Sequence, residues 1–566
     1  MKTVKFLLIT ITFLFSNISY IQAQNSEGKD FWLTFVSFGV NGGDCSQYGG
    51  LYPEVHLKIR IVGGNQPTTG TINFIHLNTS VPFSIDEYEI YDFILDPTQS
   101  CAALNITEGI THYSINIKTS SPVTVYATKR ITNYSNDVTN ILPVAALGRE
   151  YYQISYFPYN YSYIVGVDAY AVVATQNNTV LSHNESYIAT LDSGQVYYKT
   201  SSTDMTGAHI TSNHPVAFFA VNSNAQIPYA QGVYAPLFQQ LSPVNTWGKT
   251  FFVPVTNSTK DIVRIVVSQN NTTITQKGGS IRTGVPGAQT SLLFPLQAGQ
   301  FVELDINLID NGCYILSDKP IGVCTYFNAL CYYGDLQVMP AQCWVPGIEQ
   351  TVNKAFMAPF LISFGPLTAM GINYVLVVTP TATKPNTTVS IDGALPESLS
   401  GGSWYDNADA GMSFYSMPLT EHYSTYTFSN SKGIIIFGYN TGTTEIISSY
   451  YYLAYSAMRD LEGAFYANDI HYGDLENNQI CEKEVIFRAE IENIGVEVDS
   501  IKWYIDGVEF EPAQNQETWD YTFTQQGEFE ITMVVYYFEN GETKTKTITG
   551  TLKRKDLWIK MRNVKH

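Results

Sequence analysis

The chain has 566 residues, 50 of them acidic and 31 basic, and a formal net charge of −19 at pH 7. So long a chain exceeds one ordinary hydrophobic core, which predicts several domains or a repeat array. An acidic surface repels phosphate backbones and so excludes nucleic acid as the expected partner. Only 14% of the residues are charged while 40 are tyrosine, a composition typical of extracellular β proteins.

Residues 1–23 are expected to be a secretory signal peptide. Lys2 and Lys5 precede an apolar run, and the small-residue end "IQA" predicts cleavage after Ala23. The run is shorter than the roughly 20 residues that a membrane span needs. The mature chain, with 29 basic and 50 acidic residues, is therefore expected to be secreted or held at the cell surface, without a transmembrane segment.

Short apolar or alternating runs separated by turn residues predict an all-β chain. One phrase, "ITSNHPVAFFAVNS" from Ile210, returns as "IKTSSPVTVYATKR" from Ile117, "ILSDKPIGVCTYFN" from Ile315 and "FSNSKGIIIFGYNT" from Phe428. The interval is about that of a small β domain or of two propeller blades. Four related β units are therefore predicted, at about 24–155, 156–257, 258–365 and 366–460.

The repeated phrase contains a proline that begins an apolar strand. Turn-forming residues precede Pro215, whose fixed φ and missing N–H suit the first position of a strand. Phe218 and Phe219 place apolar side chains on both faces, so we expect a central strand covered on both sides. Sandwich-like units are favoured, and a β-propeller is the alternative, because the spacing of the strands fits both.

Three aromatic segments suit recognition, since tyrosine offers a flat apolar ring with a polar tip. They are "YFPYNYSY", "ALCYYGD" and "SSYYYLAY". The alternative interpretation is that their rings cap half-exposed strands. The candidate binding residues are Tyr156, Tyr159, Tyr161, Tyr332, Tyr333, Tyr450 and Tyr451.

Six of the seven cysteines fall into two groups, and outside the cell disulfides are the expected state of such groups. The first group is Cys45 and Cys101. The second group is Cys313, Cys324, Cys331 and Cys343. Cys481 stands alone.

The loop "DNADAG" brings Asp406 and Asp409 together, and oxygen-rich loops suit calcium. It lacks the third acidic position of an EF-hand, so a solvated loop is the alternative, and no other cofactor is expected. The histidines are scattered, and no catalytic motif such as G-x-S-x-G or H-E-x-x-H occurs. We therefore predict a protein that is not an enzyme, although a carboxylate pair can assemble in space without any sequence trace.

The composition changes at Leu461. The segments "IKWYIDGVEF" and "WDYTFTQQGEFEITMVVYY" predict a separate immunoglobulin-like sandwich over residues 461–552. The last residues, 553–566, carry several Lys and Arg on an otherwise acidic protein. They are expected to form a solvated basic tail, or alternatively an electrostatic contact for an acidic surface.

Several phrases resemble the N-terminal domain of IgGFc-binding proteins. They are "EGKDFWLTF", "LPVAALGREYY", "AVVATQNNTV", "SGQVYY", "GAHITSNHPVAFFAVNS" and "QQLSPVNTWGKTFFVP", which run in order from about Gly28 to Val255 and weakly on to Ala454. The C-terminal segment resembles PKD-type modules of bacterial surface proteins. The shared phrases are turns and core strands, so the resemblance implies a fold and not a ligand pocket.

These observations predict a secreted or cell-surface binding or adhesion protein that recognises an extracellular glycan or glycoprotein such as mucin. Two alternatives stay open from the sequence. One is a carbohydrate-active hydrolase on a β scaffold, and the other is a structural surface protein that self-associates through strand edges.

Overall fold

The structure, a computed structural model, describes residues 26–37, 55–131, 135–160, 165–258, 260–329, 338–360, 372–441, 449–457, 462–492, 497–539 and 542–555. The signal peptide predicted for residues 1–23 lies outside them. The fold is all-β, as predicted, and the described part contains one α-helix, α1 (Pro97–Cys101), beside 42 strands. The described residues up to Ala457 form one compact body, and those from Glu462 form a second. No helix in the described ranges is long and apolar enough to cross a membrane.

The main body contains four repeats. The strands of repeat 1 are β1 (Glu27–Leu33), β2 (Phe35–Val36), β3 (Val55–Gly63), β4 (Thr68–Phe74), β5 (Thr79–Ile85), β6 (Ile90–Ile94), β7 (Leu104–Asn105), β8 (Gly109–Thr111), β9 (Ile115–Ile131) and β10 (Ser135–Ile141). The strands of repeat 2 are β11 (Gly148–Tyr152), β12 (Asp168–Ala174), β13 (Thr179–His183), β14 (Ser186–Leu191), β15 (Val196–Ser201), β16 (His209–Ile227) and β17 (Val233–Gln240).

Repeats 3 and 4 follow in the same order. The strands of repeat 3 are β18 (Thr250–Val253), β19 (Lys260–Val267), β20 (Ile274–Lys277), β21 (Ser280–Ile281), β22 (Phe301–Asn307), β23 (Cys313–Ser317), β24 (Ile321–Phe327) and β25 (Gln342–Val345). The strands of repeat 4 are β26 (Val352–Met357), β27 (Ile372–Pro380), β28 (Thr388–Ile391), β29 (Glu397–Ser398), β30 (Ser403–Asn407), β31 (Met412–Pro418), β32 (Tyr426–Thr441) and β33 (Tyr450–Tyr455).

All four repeats use one antiparallel pairing scheme around a long strand. In repeat 2 the first half of β16 pairs with β11 and β13, and its second half pairs with β12 and β17. The strands β9 and β32 are paired in the same way in repeats 1 and 4. In repeat 3 the long strand is interrupted, so that β23 and β24 share its partners. Each repeat is therefore a two-layer sandwich, and the β-propeller alternative is wrong.

The phrase repeated in the sequence is this long strand. Pro122, Pro215, Pro320 and Gly433 stand where it passes from one layer to the other. In repeats 1, 2 and 4 the first strand has a register shift opposite this point. Proline and glycine suit this position because the long strand must bend as it passes between the layers, and its regular hydrogen-bond ladder is interrupted there.

The long strand is covered on both faces, as predicted. Phe218 and Phe219 are both completely buried, although they point to opposite sides of β16. Phe218 belongs to the core inside repeat 2, where it stacks on Tyr151 at 5.1 Å between ring centroids. Phe219 packs on Phe238, which in turn stacks on Phe35 of repeat 1. One face of β16 thus packs inside the sandwich of repeat 2, and the other face packs against repeat 1.

The four repeats close into a ring. The last strands contact one another in cyclic order, β10 with β17, β17 with β25, β25 with β33, and β33 with β10. The ring is closed by hydrogen bonds between its ends, where the Ser26 N–H donates to the carbonyl of Ser456 at 3.2 Å. Tyr126 also donates its hydroxyl to the carbonyl of Ala454 at 2.9 Å, across the same joint.

The boundaries predicted between the units are one strand too late. β11, β18 and β26 lie before residues 156, 258 and 366, yet they pair inside the following repeat. The boundaries therefore fall between β10 and β11, between β17 and β18, and between β25 and β26. The repeated phrase marks only the long strand. It does not indicate that the first strand of each repeat, many residues earlier in the sequence, pairs with that long strand.

The C-terminal domain is a two-sheet sandwich around Trp503, Trp519 and Phe487. Its sheets have the orders β35-β34-β37-β40 and β36-β42-β41-β38-β39. The expected tail does not begin at residue 553, because β42 continues to Arg554, whose side chain is buried. The strands are β34 (Glu462–Ala467), β35 (Ile470–His471), β36 (Gln479–Ile480), β37 (Glu484–Glu492), β38 (Glu497–Ile505), β39 (Val508–Glu509), β40 (Thr518–Thr522), β41 (Gly527–Glu539) and β42 (Glu542–Arg554).

Candidate functional site at the loop end of repeats 2 and 3

Four aromatic rings gather where the loop between β11 and β12 meets the hairpin between β16 and β17. We call this group the aromatic cluster: Phe157 and Tyr159 come from the loop, and Tyr229 and Tyr234 from the hairpin. Tyr159 stacks on Tyr234 with 5.4 Å between ring centroids, and Phe157 lies 4.8 Å from Tyr229. All four side chains are half-buried, so each keeps part of its ring surface in solvent.

Asparagine side chains at the end of β16 hold the loop in place. The Tyr159 N–H donates to the carbonyl of Asn224 at 2.6 Å, and the Asn224 amide donates back to the Tyr159 carbonyl at 2.8 Å. The Asn222 amide donates to the carbonyl of Tyr156 at 2.6 Å. The loop therefore runs beside β16 almost as an added strand, which limits its conformational freedom and presents the rings in one arrangement.

Tyr156 anchors the cluster from below and is fully buried. Its hydroxyl donates to Glu303 Oε1 at 3.0 Å and accepts the N–H of Tyr229 at 3.1 Å. Arg264 places its guanidinium 3.9 Å from the centre of the Tyr156 ring. Burial, followed by the charge of Glu303, raises the pKa of Tyr156 far above its ordinary value. The prediction that Tyr156 contacts a ligand is wrong, because no face of its ring is exposed.

Arg264 is the centre of a buried ionic cluster that joins repeat 2 to repeat 3. It donates to Glu303 Oε2 at 2.8 Å, to Asp204 Oδ2 at 2.6 Å and to the carbonyl of Ser155 at 2.8 Å. Asp168, the first residue of β12, lies beside this cluster and accepts the N–H of Met205 at 2.6 Å. Burial, and after it the charge of Asp204, raises the pKa of the Asp168 carboxyl well above its usual range. The side chains of Asp204 and Glu303 are at most 4% exposed, so these acids cannot meet a polysaccharide as a hydrolytic pair.

The tyrosines of the third predicted segment are core residues. Tyr450 and Tyr451 lie on β33 and are each 1% exposed. Tyr450 donates to the carbonyl of Phe360 at 3.1 Å, and Tyr451 stacks on Phe327 of repeat 3 at 5.3 Å. Their prediction as binding residues is wrong, because β33 is covered on one face by its own repeat and on the other by neighbouring repeats.

Three predicted residues, Tyr161, Tyr332 and Tyr333, lie outside the described residues. Ala329, the last described residue before Tyr332 and Tyr333, accepts the N–H of Val233 at its carbonyl, at 3.0 Å. Of the seven predicted tyrosines, Tyr159 is the one that the described part of the chain places on the surface of this cluster.

Phe157 lies in the predicted segment "YFPYNYSY" but was not among the candidate residues, and Tyr229 and Tyr234 were missed altogether. The signal was present in "IPYAQGVYA", where aromatic residues flank a Gly-containing turn that directly follows the repeated strand. A hairpin after a central strand must reach an end of the sandwich, which is where binding loops lie in β-sandwich proteins.

The two aspartates predicted to bind calcium have lysine partners. Asp406 accepts hydrogen bonds from Lys384 at 2.6 Å and from Ser413 at 2.7 Å, and these hold the pKa of its carboxyl below the usual value. Asp409 pairs with Lys277 at 2.5 Å. Among the described residues, no three or more His, Cys, Asp or Glu side chains group so as to hold a metal ion. Calcium binding at this loop stays a prediction.

The disulfides predicted for Cys313, Cys324 and Cys343 are wrong, since all three are buried free thiols. Cys324 lies opposite Trp344 and Cys343 lies opposite Thr325, so the two sulfurs point to opposite faces of one sheet. Cys313 lies in another sheet, where its thiol donates to the carbonyl of Gly278 at 3.2 Å.

Cys101 is disulfide-bonded, in keeping with the first predicted group. Its partner lies outside the described residues, and so do Cys45 and Cys331 of the predicted groups. The pairing of Cys101 with Cys45 stays a prediction.

The fold and the site together define a closed ring of four β-sandwich repeats with partly exposed aromatic residues at one loop end. The family described as IgGFc binding protein matches residues 137–440, from β10 to β32, which is more than half of the chain. The chain belongs to this family.

The human IgGFc-binding protein is 28% identical over 186 residues, which are 30% of this chain and 3% of the human protein. The chain thus covers a small part of that relative. A solved structure of E. coli alpha-2-macroglobulin aligns with 94% of this chain and 40% of its own, at 9% identity and a TM-score of 0.13. That score is too low to carry an argument about fold or function.

Proposed function

We propose that this protein is an extracellular binding protein that recognises a glycan or glycoprotein, such as mucin, through the aromatic cluster of repeat 2. The observation that carries the proposal is the stacked pair Tyr159 and Tyr234, half-exposed at the loop end. The predicted signal peptide supports an extracellular location. Membership of the IgGFc-binding family supports binding rather than catalysis.

The chemistry of the cluster supports a sugar-bearing ligand. Tyrosine rings stack on the apolar faces of sugars, and their hydroxyls exchange hydrogen bonds at the rim. The hairpin also exposes Ala230 and Gln231 beside the rings, and neither is charged. The ionic cluster below holds the two repeats in one arrangement, so little conformational entropy is lost on binding.

The test compares the double variant Tyr159→Ala/Tyr234→Ala with Tyr187→Ala in the full secreted chain. Tyr187 is 66% exposed on β14, outside the cluster, and is the matched control. The probes are a glycan array, immobilised mucin and an IgG Fc fragment, the last chosen because of the name of the human relative. The double variant should lose at least about tenfold in affinity for a glycan or for mucin, while the control keeps it.

Two outcomes would contradict the proposal. One is a double variant that binds each probe as the wild type does. The other is an equal loss in Tyr187→Ala, which would show that the effect is not specific to the cluster. Circular dichroism of both variants checks that the β fold is retained.

We also propose that the Asp406 loop binds calcium when the ion displaces Lys384 and Lys277. The same array, run with calcium and with a chelator, tests this. A calcium-dependent signal should disappear in Asp406→Asn/Asp409→Asn, and calorimetry of the protein with calcium alone should show binding that the variant lacks. A flat calorimetric titration of the wild type would rule the site out.

A further inference from the structure

The C-terminal domain presents two outward sheet faces of different chemistry. On the sheet of β37 and β40 the exposed residues are mostly charged, as on an ordinary solvated surface: Glu484, Arg488, Glu490 and Asp520. On the opposite sheet, β42 exposes Thr545, Thr547 and Thr549 at every second position. Alternation along a strand places these three hydroxyls on one face, roughly 6.8 Å apart.

The neighbouring strand β41 extends the row of hydroxyl groups. Thr532 lies opposite Thr549, with their hydroxyl oxygens 2.9 Å apart, and Tyr536 lies opposite Thr545. On the next strand Tyr504 lies opposite Thr532. We call this surface the threonine–tyrosine face: Tyr504, Thr532, Tyr536, Thr545, Thr547 and Thr549.

None of these six residues is charged. Lys502 lies on the same face of β38, and its ammonium pairs with Glu509 at 3.0 Å. The ammonium also lies 5.9 Å from the centre of the Tyr536 ring. Beyond Thr549 and Thr532 the same face continues with the exposed Glu528 and Glu530 and with Lys553, which pairs with Glu528 at 3.5 Å. One half-buried aliphatic residue, Val534, lies opposite Thr547. The face therefore has a regular array of hydroxyls and two aromatic rings, and both Lys502 and Lys553 pair with a carboxylate.

This chemistry selects among ligands. An anionic polymer or a nucleic acid needs unpaired cations, which the face lacks. A membrane or an apolar protein partner needs large apolar anchors, and the face offers only Val534. A polysaccharide needs hydroxyl partners at a regular spacing and flat rings to stack on its sugars, and the face offers both.

We propose that the threonine–tyrosine face binds a linear neutral polysaccharide. The chain would lie along β42, over the roughly 13 Å from Thr545 to Thr549, with its sugar rings against Tyr504 and Tyr536. This site lies in the C-terminal domain and the aromatic cluster lies in the main body, so separate variants test the two proposals independently.

The test is affinity electrophoresis of the full chain in native gels. The gels contain hydroxyethylcellulose or mannan as neutral polymers, or polygalacturonate as an anionic one. The test variants are Tyr536→Ala and Thr547→Val/Thr549→Val. Valine keeps the shape and strand preference of threonine and replaces its hydroxyl with a methyl group, so the second variant should keep the fold. The matched control is Thr518→Val/Thr522→Val on β40, whose threonines are exposed on the opposite sheet.

At least one neutral polymer should retard the wild type and the control. The apparent affinity should fall at least tenfold in both test variants. The variant Tyr159→Ala/Tyr234→Ala should be retarded like the wild type, which separates this site from the aromatic cluster. Unretarded migration of the wild type in both neutral gels overturns the proposal. It is overturned equally by the same loss in the control, or by stronger retardation in polygalacturonate than in the neutral gels.

Discussion

Arg264 shows how a single residue can hold two repeats together. Its guanidinium is fully buried and forms ion pairs with Glu303 of its own repeat and with Asp204 of the preceding repeat. Burying a charge costs free energy unless it is paired and hydrogen-bonded, and here several partners meet that condition. The loss of one partner would leave the others buried and uncompensated.

Arg264→Met should therefore lower the free energy of unfolding of the main body by about 3–5 kcal/mol, because Glu303 and Asp204 lose their counter-ion. The matched variant Lys277→Met removes the exposed pair with Asp409 and should change little, since solvent screens that pair. Urea unfolding followed by intrinsic fluorescence measures both. Equal midpoints for the wild type and Arg264→Met would contradict the assigned role.

This role was not visible in the sequence. Within "DIVRIVVS", Arg264 is a single cation in an otherwise apolar run, and nothing in that run indicates what it pairs with. Its partners are 39 and 60 positions away. Only the packing of one sandwich against another determines that this position faces a buried joint.

At the scale of elements, the joints between repeats depend on glycines of the first strand. A β-carbon on Gly28 would lie 2.2 Å from Pro143, and one on Gly148 would lie 2.4 Å from Pro243. Both prolines precede the first strand of the next repeat, in the phrases "LPVAALG" and "LSPVNTWG". The glycine lets the connection between repeats pass close to the strand before it.

Gly148→Ala should destabilise the main body by about 1–3 kcal/mol, because the new methyl group overpacks the joint. Gly64→Ala is the control: its β-carbon would meet atoms no nearer than 3.5 Å, which is ordinary contact. Thermal unfolding of both variants beside the wild type provides the measurement. A Gly148→Ala protein as stable as the control would show that the joint can relax.

At the scale of the whole molecule, the chain has two bodies with separate hydrophobic cores. Phe218 belongs to the core shared by repeats 2, 3 and 4, and Trp503 belongs to that of the C-terminal domain. Because each body buries its own apolar residues, each should unfold as its own cooperative unit.

Calorimetry of the full chain should accordingly resolve two transitions. Trp503→Ala should lower the midpoint of one and Phe218→Ala that of the other, since each removes a fully buried ring at a typical cost of about 3–5 kcal/mol. A single transition, or one that both variants shift alike, would contradict two independent bodies.

Much of the fold could be predicted from local patterns in the sequence. Turn residues and alternating runs predicted the strands, and the phrase around Pro122, Pro215 and Pro320 predicted that one unit recurs. These features are local: they depend on the conformations that Pro and Gly allow and on the period of a strand. The candidate site was predicted less well, because Tyr159 and the buried Tyr450 stand in equally aromatic segments.

The sequence by itself determined the β class, the recurrence of one strand and the change of character at Leu461. Tertiary structure alone decided which tyrosines keep an exposed ring, which cysteines stay thiols, and how the first strand joins its repeat. The physical reason is that exposure depends on what covers each face of a strand. In this ring the covering elements lie in a neighbouring repeat, dozens to hundreds of residues away, as between Ser26 and Ser456.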